Sequence, residues 1–261
     1  WSKKAIAEAK KYGEVTVGAS SAGCGYARIP DCSNLDIAPD TDYVYICENE
    51  TIHGVTWPKM PDTKGHVLVS DQSSMFLSKP CCVTDYGMIY AGVQKNVGPA
   101  GMVIVIMKED LIPEEVDPKM PVYLKYATHA DANSGYNTPN CWSIYCCGLV
   151  IRNLLEHGGL EAIYQKNQEK AKIIYDFLDN STLFRGKVDP EFRSLMNIPF
   201  TTGNPDTDAD VVASAVRVGL SNLKGHPSVG GLRASVYNAM PIDGARALVE
   251  FLQHYELTHR G

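Results

Sequence analysis

Tyr90-Ala91-Gly92-Val93-Gln94-Lys95-Asn96-Val97-Gly98-Pro99-Ala100-Gly101 opens on the end of an apolar run, 88–93, that reads as a buried strand. Lys95 therefore stands at a strand exit. The turn Gly98-Pro99-Ala100-Gly101 then sends the chain into Met102-Val103-Ile104-Val105-Ile106-Met107, a second apolar run, and so short a connection predicts antiparallel pairing. Upstream, Asp71 closes another strand-like run, 67–70, and Thr51 follows a third, Tyr43-Val44-Tyr45-Ile46-Cys47, after the polar turn 48–51. Open α/β sheets collect ligands at the carboxyl ends of their strands. Three such ends here deliver a hydroxyl, a carboxylate and an amine.

A lysine and an aspartate at neighbouring strand exits are what pyridoxal phosphate chemistry requires. The amine forms a Schiff base with the cofactor, and the carboxylate keeps the pyridine nitrogen protonated. Singly, each residue has a plainer reading. A lysine after a strand is usually solvated, an aspartate there often caps a turn, and Thr51 could do the same. Their convergence carries the reading.

Outward from this centre, Ser2 is expected to cap a helix over 3–11 that Gly13 ends, with a short strand over 14–17. Residues 22–41, rich in Gly, Pro, Asp and Ser, suggest a long surface connection. Helices are expected over 142–156, stopped at Gly158-Gly159, and over 160–178, where Ile163, Ala171, Ile174, Phe177 and Leu178 recur near helical spacing. The remainder alternates: strand 196–200, helix 208–218, strand 232–237, helix 243–257. This pattern predicts an α/β fold with a mostly parallel sheet and one antiparallel member in residues 1–165, followed by a smaller α+β unit in 166–261. The basic stretch 166–172 is expected to be a solvated helix face. The aromatic-rich segment 123–126 is expected to serve packing or a dimer contact.

The 261 residues carry a formal net charge of −6 and no basic stripe, which argues against a nucleic-acid partner. No segment approaches 18 uninterrupted apolar residues, so no membrane span is expected. The eight cysteines include two adjacent pairs, Cys81-Cys82 and Cys146-Cys147, and no Cys-x-x-Cys. Free thiols in a reducing, cytoplasmic compartment fit that spacing, and no Cys/His cluster suggests a metal. The sequons at Asn49 and Asn180 are then coincidental. Trp1 opens directly on a helix-like stretch without an initiator methionine, as expected of a chain that lacks its beginning, so a leader upstream would not be visible.

Further motifs occur in one order with the central stretch. They are Glu48-Asn49-Glu50-Thr51-Ile52-His53-Gly54, Asp71-Gln72-Ser73-Ser74, Tyr136-Asn137-Thr138-Pro139 and Gly230-Gly231-Leu232-Arg233-Ala234-Ser235-Val236-Tyr237-Asn238-Ala239. Together they resemble the phosphoserine aminotransferases, fold-type I pyridoxal phosphate enzymes of serine biosynthesis, over essentially the whole chain. The resemblance implies Lys95 as the Schiff-base lysine, Asp71 as the partner of the pyridinium nitrogen and Thr51 as the hydroxyl beside the cofactor 3-oxygen. It implies Gln94 as a ligand of the cofactor phosphate, and Trp1 as the aromatic stacked on the pyridine ring. Asn137 and Thr138 match residues that reach a neighbour's phosphate, which implies a homodimer with shared sites. Arg233 matches the arginine that grips the substrate α-carboxylate. The implied reaction converts glutamate and 3-phosphohydroxypyruvate into 2-oxoglutarate and phosphoserine.

Two departures stand out. The family's chains begin well upstream, with a Gly-rich turn that holds the cofactor phosphate. The family also reads Gly-His-Arg where this chain has Gly225-His226-Pro227. His226 remains available for the substrate phosphate, but Pro227 has no side-chain donor. One charge-assisted bond is worth about 1.5–3 kcal/mol, or about one to two decades of affinity. A related aminotransferase for an unphosphorylated amino acid, or a catalytically silent chain that only dimerises, are the competing expectations.

Overall fold

The structure, a computed structural model, describes residues 1–259. Helix α1 covers Ser2–Ala9. Ser2 lies inside it instead of capping it, because its N–H and hydroxyl both donate to Glu50 Oε1, at 3.1 and 2.6 Å. The expected strand over 14–17 does not form. Alternating polar and apolar residues make a strand only where a neighbour completes the ladder, and this segment pairs with no strand among the described residues.

The main sheet is built from β1 (Tyr43–Cys47), β4 (Val67–Asp71), β5 (Met88–Gly92) and β6 (Val103–Met107), with the short hairpin β2 (Asn49–Glu50) and β3 (Val55–Thr56) between the first two. Strand order is β1-β4-β5-β6. The first three run parallel, with Cys47 beside Asp71 and Asp71 beside Tyr90. Strand β6 returns antiparallel to β5, as the turn chemistry predicts. The exits of β1, β4 and β5 therefore lie along one edge. Their core consists of Ile46, Leu68, Phe76, Ile89, Ala91, Val93 and Val97, with Cys147 closing it from the helical side.

The polar turn expected over 48–51 is instead a buried junction: Glu48, Asn49 and Thr51 are all buried, and Asn49 and Glu50 form β2. The hairpin turns at Gly54, whose φ is +69°. A Cβ there would collide with Pro199 and come within 2.5 Å of the Asn197 carbonyl, so only glycine lets the hairpin lie this close.

Helices α2 (Tyr126–Asp131), α3 (Cys141–Glu156) and α4 (Gly159–Asn180) lead into the second half. Asn140 caps α3, its side chain accepting the Ser143 N–H at 3.1 Å. A three-stranded antiparallel sheet follows, in the order β7 (Arg185–Gly186), β8 (Asn197–Thr201), β9 (Leu232–Ser235), with α5 (Pro205–Arg217) and α6 (Ile242–Thr258). Helix α5 starts ahead of the expected 208, because Asn204 accepts the N–H groups of Asp206 and Thr207 and Pro205 suits a first turn. Ile174, Leu178, Phe184, Phe200, Val211, Leu232 and Leu252 form a separate and larger apolar core.

The basic stretch 166–172 is not wholly a solvated face. Lys170 is 1% exposed, and its ammonium donates to the carbonyls of Val236 and Tyr237 at 3.0 and 2.7 Å. All eight cysteines are unpaired. No helix among the described residues is long and apolar enough to cross a membrane.

Candidate active site

Lys95 is held by its neighbours on both sides. Val93 and Val97 are buried in the sheet core, and the N–H groups of Val97 and Gly98 both donate to the Val93 carbonyl, closing the turn around it. Asn96 is buried too, donating to the Phe76 carbonyl at 3.0 Å and accepting the Asn238 N–H at 3.0 Å. The lysine amine is left facing the sheet edge. Its Nζ donates to Thr51 Oγ1 at 2.9 Å and forms no ion pair among the described residues. Burial lowers the Lys95 pKa, Asp71 opposes that shift and Arg233 reinforces it. The carboxylate and the guanidinium thus both lie within electrostatic reach of the amine.

Asp71 is the last residue of β4, and its Oδ1 accepts the Ser73 N–H at 2.9 Å. Ser73 Oγ in turn accepts the Gly92 N–H at 3.0 Å, which ties the exits of β4 and β5. Tyr45 and Tyr90 touch through their hydroxyls at 3.3 Å, and burial pushes the Tyr90 phenol up to about 12. Arg233, on β9, crosses from the second half and donates to the Thr51 carbonyl at 3.3 Å. Four of the expected residues, Lys95, Thr51, Asp71 and Arg233, are therefore gathered at one place.

The others are placed with less contact. Gln94 is exposed, its amide folded over Gly92, where a Cβ would meet Gln94 Oε1 at 2.7 Å. Trp1 is 48% exposed with Lys4 Nζ 4.7 Å from its ring centre, and the Ser2–Glu50 contacts anchor it beside the hairpin that carries Thr51. His226 lies near His53, whose imidazole burial pushes down; Glu50 opposes that shift and His226 adds to it. Asn137 and Thr138 sit on an exposed loop and make no side-chain hydrogen bond among the described residues, so the structure does not bring them to Lys95. Ser73, Glu50 and Asn96 were not singled out from sequence. The Asp-x-Ser spacing of an Asx turn was the available signal for Ser73.

This donor set fits pyridoxal phosphate. An amine with a hydroxyl partner and a lowered pKa suits bonding to an aldehyde carbon, a carboxylate at the next strand exit suits a pyridinium, and a guanidinium suits a carboxylate. No group of three or more His, Cys, Asp or Glu side chains among the described residues could hold a metal ion.

Comparison with known proteins agrees. The Aminotransferase class-V family model matches residues 2–248. A phosphoserine aminotransferase of Nitrosomonas europaea is 47% identical over 99% of this chain, which spans 72% of that relative's length. The chloroplastic phosphoserine aminotransferase 1 of Arabidopsis thaliana is 46% identical over 99% of the chain, which spans 60% of it. Among solved structures, a phosphoserine aminotransferase described with its Schiff base superposes with a TM-score of 0.95 at 43% identity, covering 99% of this chain and 72% of that one. These matches establish the fold-type I α/β architecture and an enzyme that uses pyridoxal phosphate. The chain belongs to the class-V aminotransferases and, within them, to the phosphoserine aminotransferase family.

Proposed function

We propose that this chain transfers an amino group from glutamate to 3-phosphohydroxypyruvate, giving 2-oxoglutarate and phosphoserine. The observation that carries the reading is the Lys95 amine, bonded to Thr51 and within the field of both Asp71 and Arg233. When bound, the cofactor supplies an electron sink for the pair left behind when the substrate loses its Cα proton.

The chain's own residues do the rest. Lys95 holds the cofactor through its amine nitrogen. Once freed by substrate, that amine would serve as the base that takes the substrate's Cα proton, and burial, which lowers its pKa, favours the neutral form this requires. Asp71 would hold the proton on the cofactor's ring nitrogen. Thr51, which orients Lys95 through its hydrogen bond, would stand beside the cofactor 3-oxygen. Trp1 would stack on the ring, and Gln94 would bind the cofactor phosphate. Asn137 and Thr138 would reach the phosphate of a second copy, a reading supported by their exposure and by their making no side-chain hydrogen bond among the described residues. Arg233 binds the α-carboxylate, and His226 faces the substrate phosphate. Residues 1–165 form the cofactor-binding half and 166–261 the smaller one, a division supported by their two separate cores.

Pro227 favours a second reading, an amino donor without a phosphate, since it offers no donor at that position. Borohydride treatment with pyridoxal phosphate should leave a mass adduct on Lys95. Phosphoserine should then exceed serine and alanine as donor to 2-oxoglutarate by about one decade or more in kcat/KM. Equal use of the three would favour the second reading. No adduct at excess cofactor would mean a silent chain.

A further inference from the structure

Beside Asp71, at the exits of β1 and β4, lies a carboxylate with no part in the chemistry above. Glu48 is 1% exposed. Its Oε2 accepts from Ser70 Oγ at 3.0 Å, Gln72 Nε2 at 2.8 Å and the Tyr86 hydroxyl at 3.0 Å, and its Oε1 lies 3.6 Å from Lys79 Nζ. Ser70 and Gln72 flank Asp71, and strand alternation turns both to the face opposite to it. The carboxylate thus grips one face of the β4 exit while Asp71 occupies the other.

The Glu48 backbone grips the same place. Its N–H donates to the Asp71 carbonyl at 3.0 Å, and its carbonyl accepts from Trp57 N–H at 3.3 Å and Thr56 Oγ1 at 3.1 Å. The next residue, Asn49, donates to Ser74 Oγ at 2.6 Å and Asn197 Oδ1 at 3.0 Å, and the hairpin then presents Thr51 to Lys95. One side chain therefore joins the exit of β1, the exit of β4, the segment that enters β5 through Tyr86, and the root of the Thr51 hairpin. A buried charge is a weak source of net stability, because apolar groups of similar volume commonly replace it at no loss. What a fully gathered carboxylate adds is a fixed geometry.

We propose that Glu48 is a positioning residue, which through Ser70, Gln72 and Tyr86 sets the Asp71 carboxylate and the Thr51 hydroxyl towards the cofactor. This rests on the assignment of Lys95, Asp71 and Thr51 above. It does not touch the cofactor, and its effect runs through those residues.

The test compares Glu48→Ala, Glu48→Gln and Glu256→Ala in the protein loaded with pyridoxal phosphate. Glu256 is another buried carboxylate, and it is bonded to Ser181 and Thr182 of the second half. The readouts are the cofactor dissociation constant, the pH midpoint of its absorbance band and the thermal midpoint. Glu48→Ala should raise the dissociation constant by about tenfold or more and move the pH midpoint by about half a unit or more. Glu48→Gln keeps an oxygen for the three donors and should stay within about threefold of wild type. Glu256→Ala should lower the thermal midpoint and leave the other two readouts alone. A Glu48→Ala protein that loses thermal stability but keeps wild-type affinity and pH midpoint overturns the proposal. If Glu48→Ala does not fold, Gln72→Met decides: it removes one donor beside Asp71, and unchanged affinity and midpoint there overturn it equally. Wild type that takes up no cofactor overturns the site assignment as well, so the two failures are distinct.

Discussion

Glu48 and Glu256 are both buried carboxylates, but they are used differently in the two halves of the molecule. Glu48 collects donors from Ser70 in β4, from Gln72 just after it and from Tyr86 ahead of β5, so it joins pieces that are far apart in sequence. Glu256 collects donors from one turn, Ser181 to Leu183, and seals the end of α4 against α6. Around Glu48 the buried residues are largely polar: Asn49, Thr51, Ser70, Gln72 and Ser74. Around α4 and α6 they are largely aliphatic and aromatic. The first half combines its apolar core with a polar cluster at a strand edge, and the second is held mainly by apolar burial.

That contrast fails most sharply if a site variant behaves like a core variant. Lys95→Ala should lower kcat by about 10³-fold or more. Its thermal midpoint should stay at or above wild type in the absence of cofactor, because burial already disfavours the charged amine it removes. Steady-state rates beside a thermal melt check both halves of this statement. A large thermal loss would show that the lysine holds the fold as well as the chemistry.

Leu252→Ala is the converse. Leu252 is 0% exposed in the core of the second half. Truncation should cost about 2–5 kcal/mol of unfolding free energy in urea titration, from lost burial and the cavity left behind. The turnover of the protein that remains folded should match wild type. A fall in turnover per folded molecule would mean that the two halves are not separable in this way, and that Arg233, carried on β9, depends on the whole core.

The same contrast explains what was legible in the sequence. Strands β1, β4, β5 and β6 were readable because apolar runs bounded by turn residues have few other uses. Lys95, Asp71 and Thr51 followed from standing at their exits. Glu48 was not readable. A charged residue is rarely fully buried, and its partners lie 22 to 38 positions away, where no local pattern reports them. Strand β2 has two residues, too few for a period, and the alternation over 14–17 has no partner among the described residues to make it a strand. Asn137 and Thr138 came from resemblance alone, since nothing near them in the chain gives them work. Lys170 was readable and missed. It sits four residues before Ile174 and eight before Leu178, on the buried stripe of α4, so helical spacing placed it inside despite its charged neighbours.

Lys170 gives an effect that appears only as a pH dependence, at the seam between the two regions. Asn167 and Asn238, next to it in space, donate to the carbonyls of Ser78 and Leu77, so this part of α4 and the end of β9 face the first half directly. No carboxylate pairs with Lys170 among the described residues, and burial pushes its ammonium down to about 8. Between that value and the ordinary lysine value of about 10.4, the unfolded chain holds a proton that the folded chain has released. Stability contributed by this residue should therefore rise with pH through that window, by at most about 1.4 kcal/mol per unit, and be flat below it. Lys170→Met lacks the titration. The difference in urea unfolding free energy, wild type minus variant, should be constant below pH 7 and climb from about pH 8 towards pH 10. A difference that does not change with pH would mean that the Val236 and Tyr237 carbonyls outweigh burial and keep the ammonium charged throughout. The seam would then be held by a permanent cation, and the second half would share the polar fixing assigned above to the first.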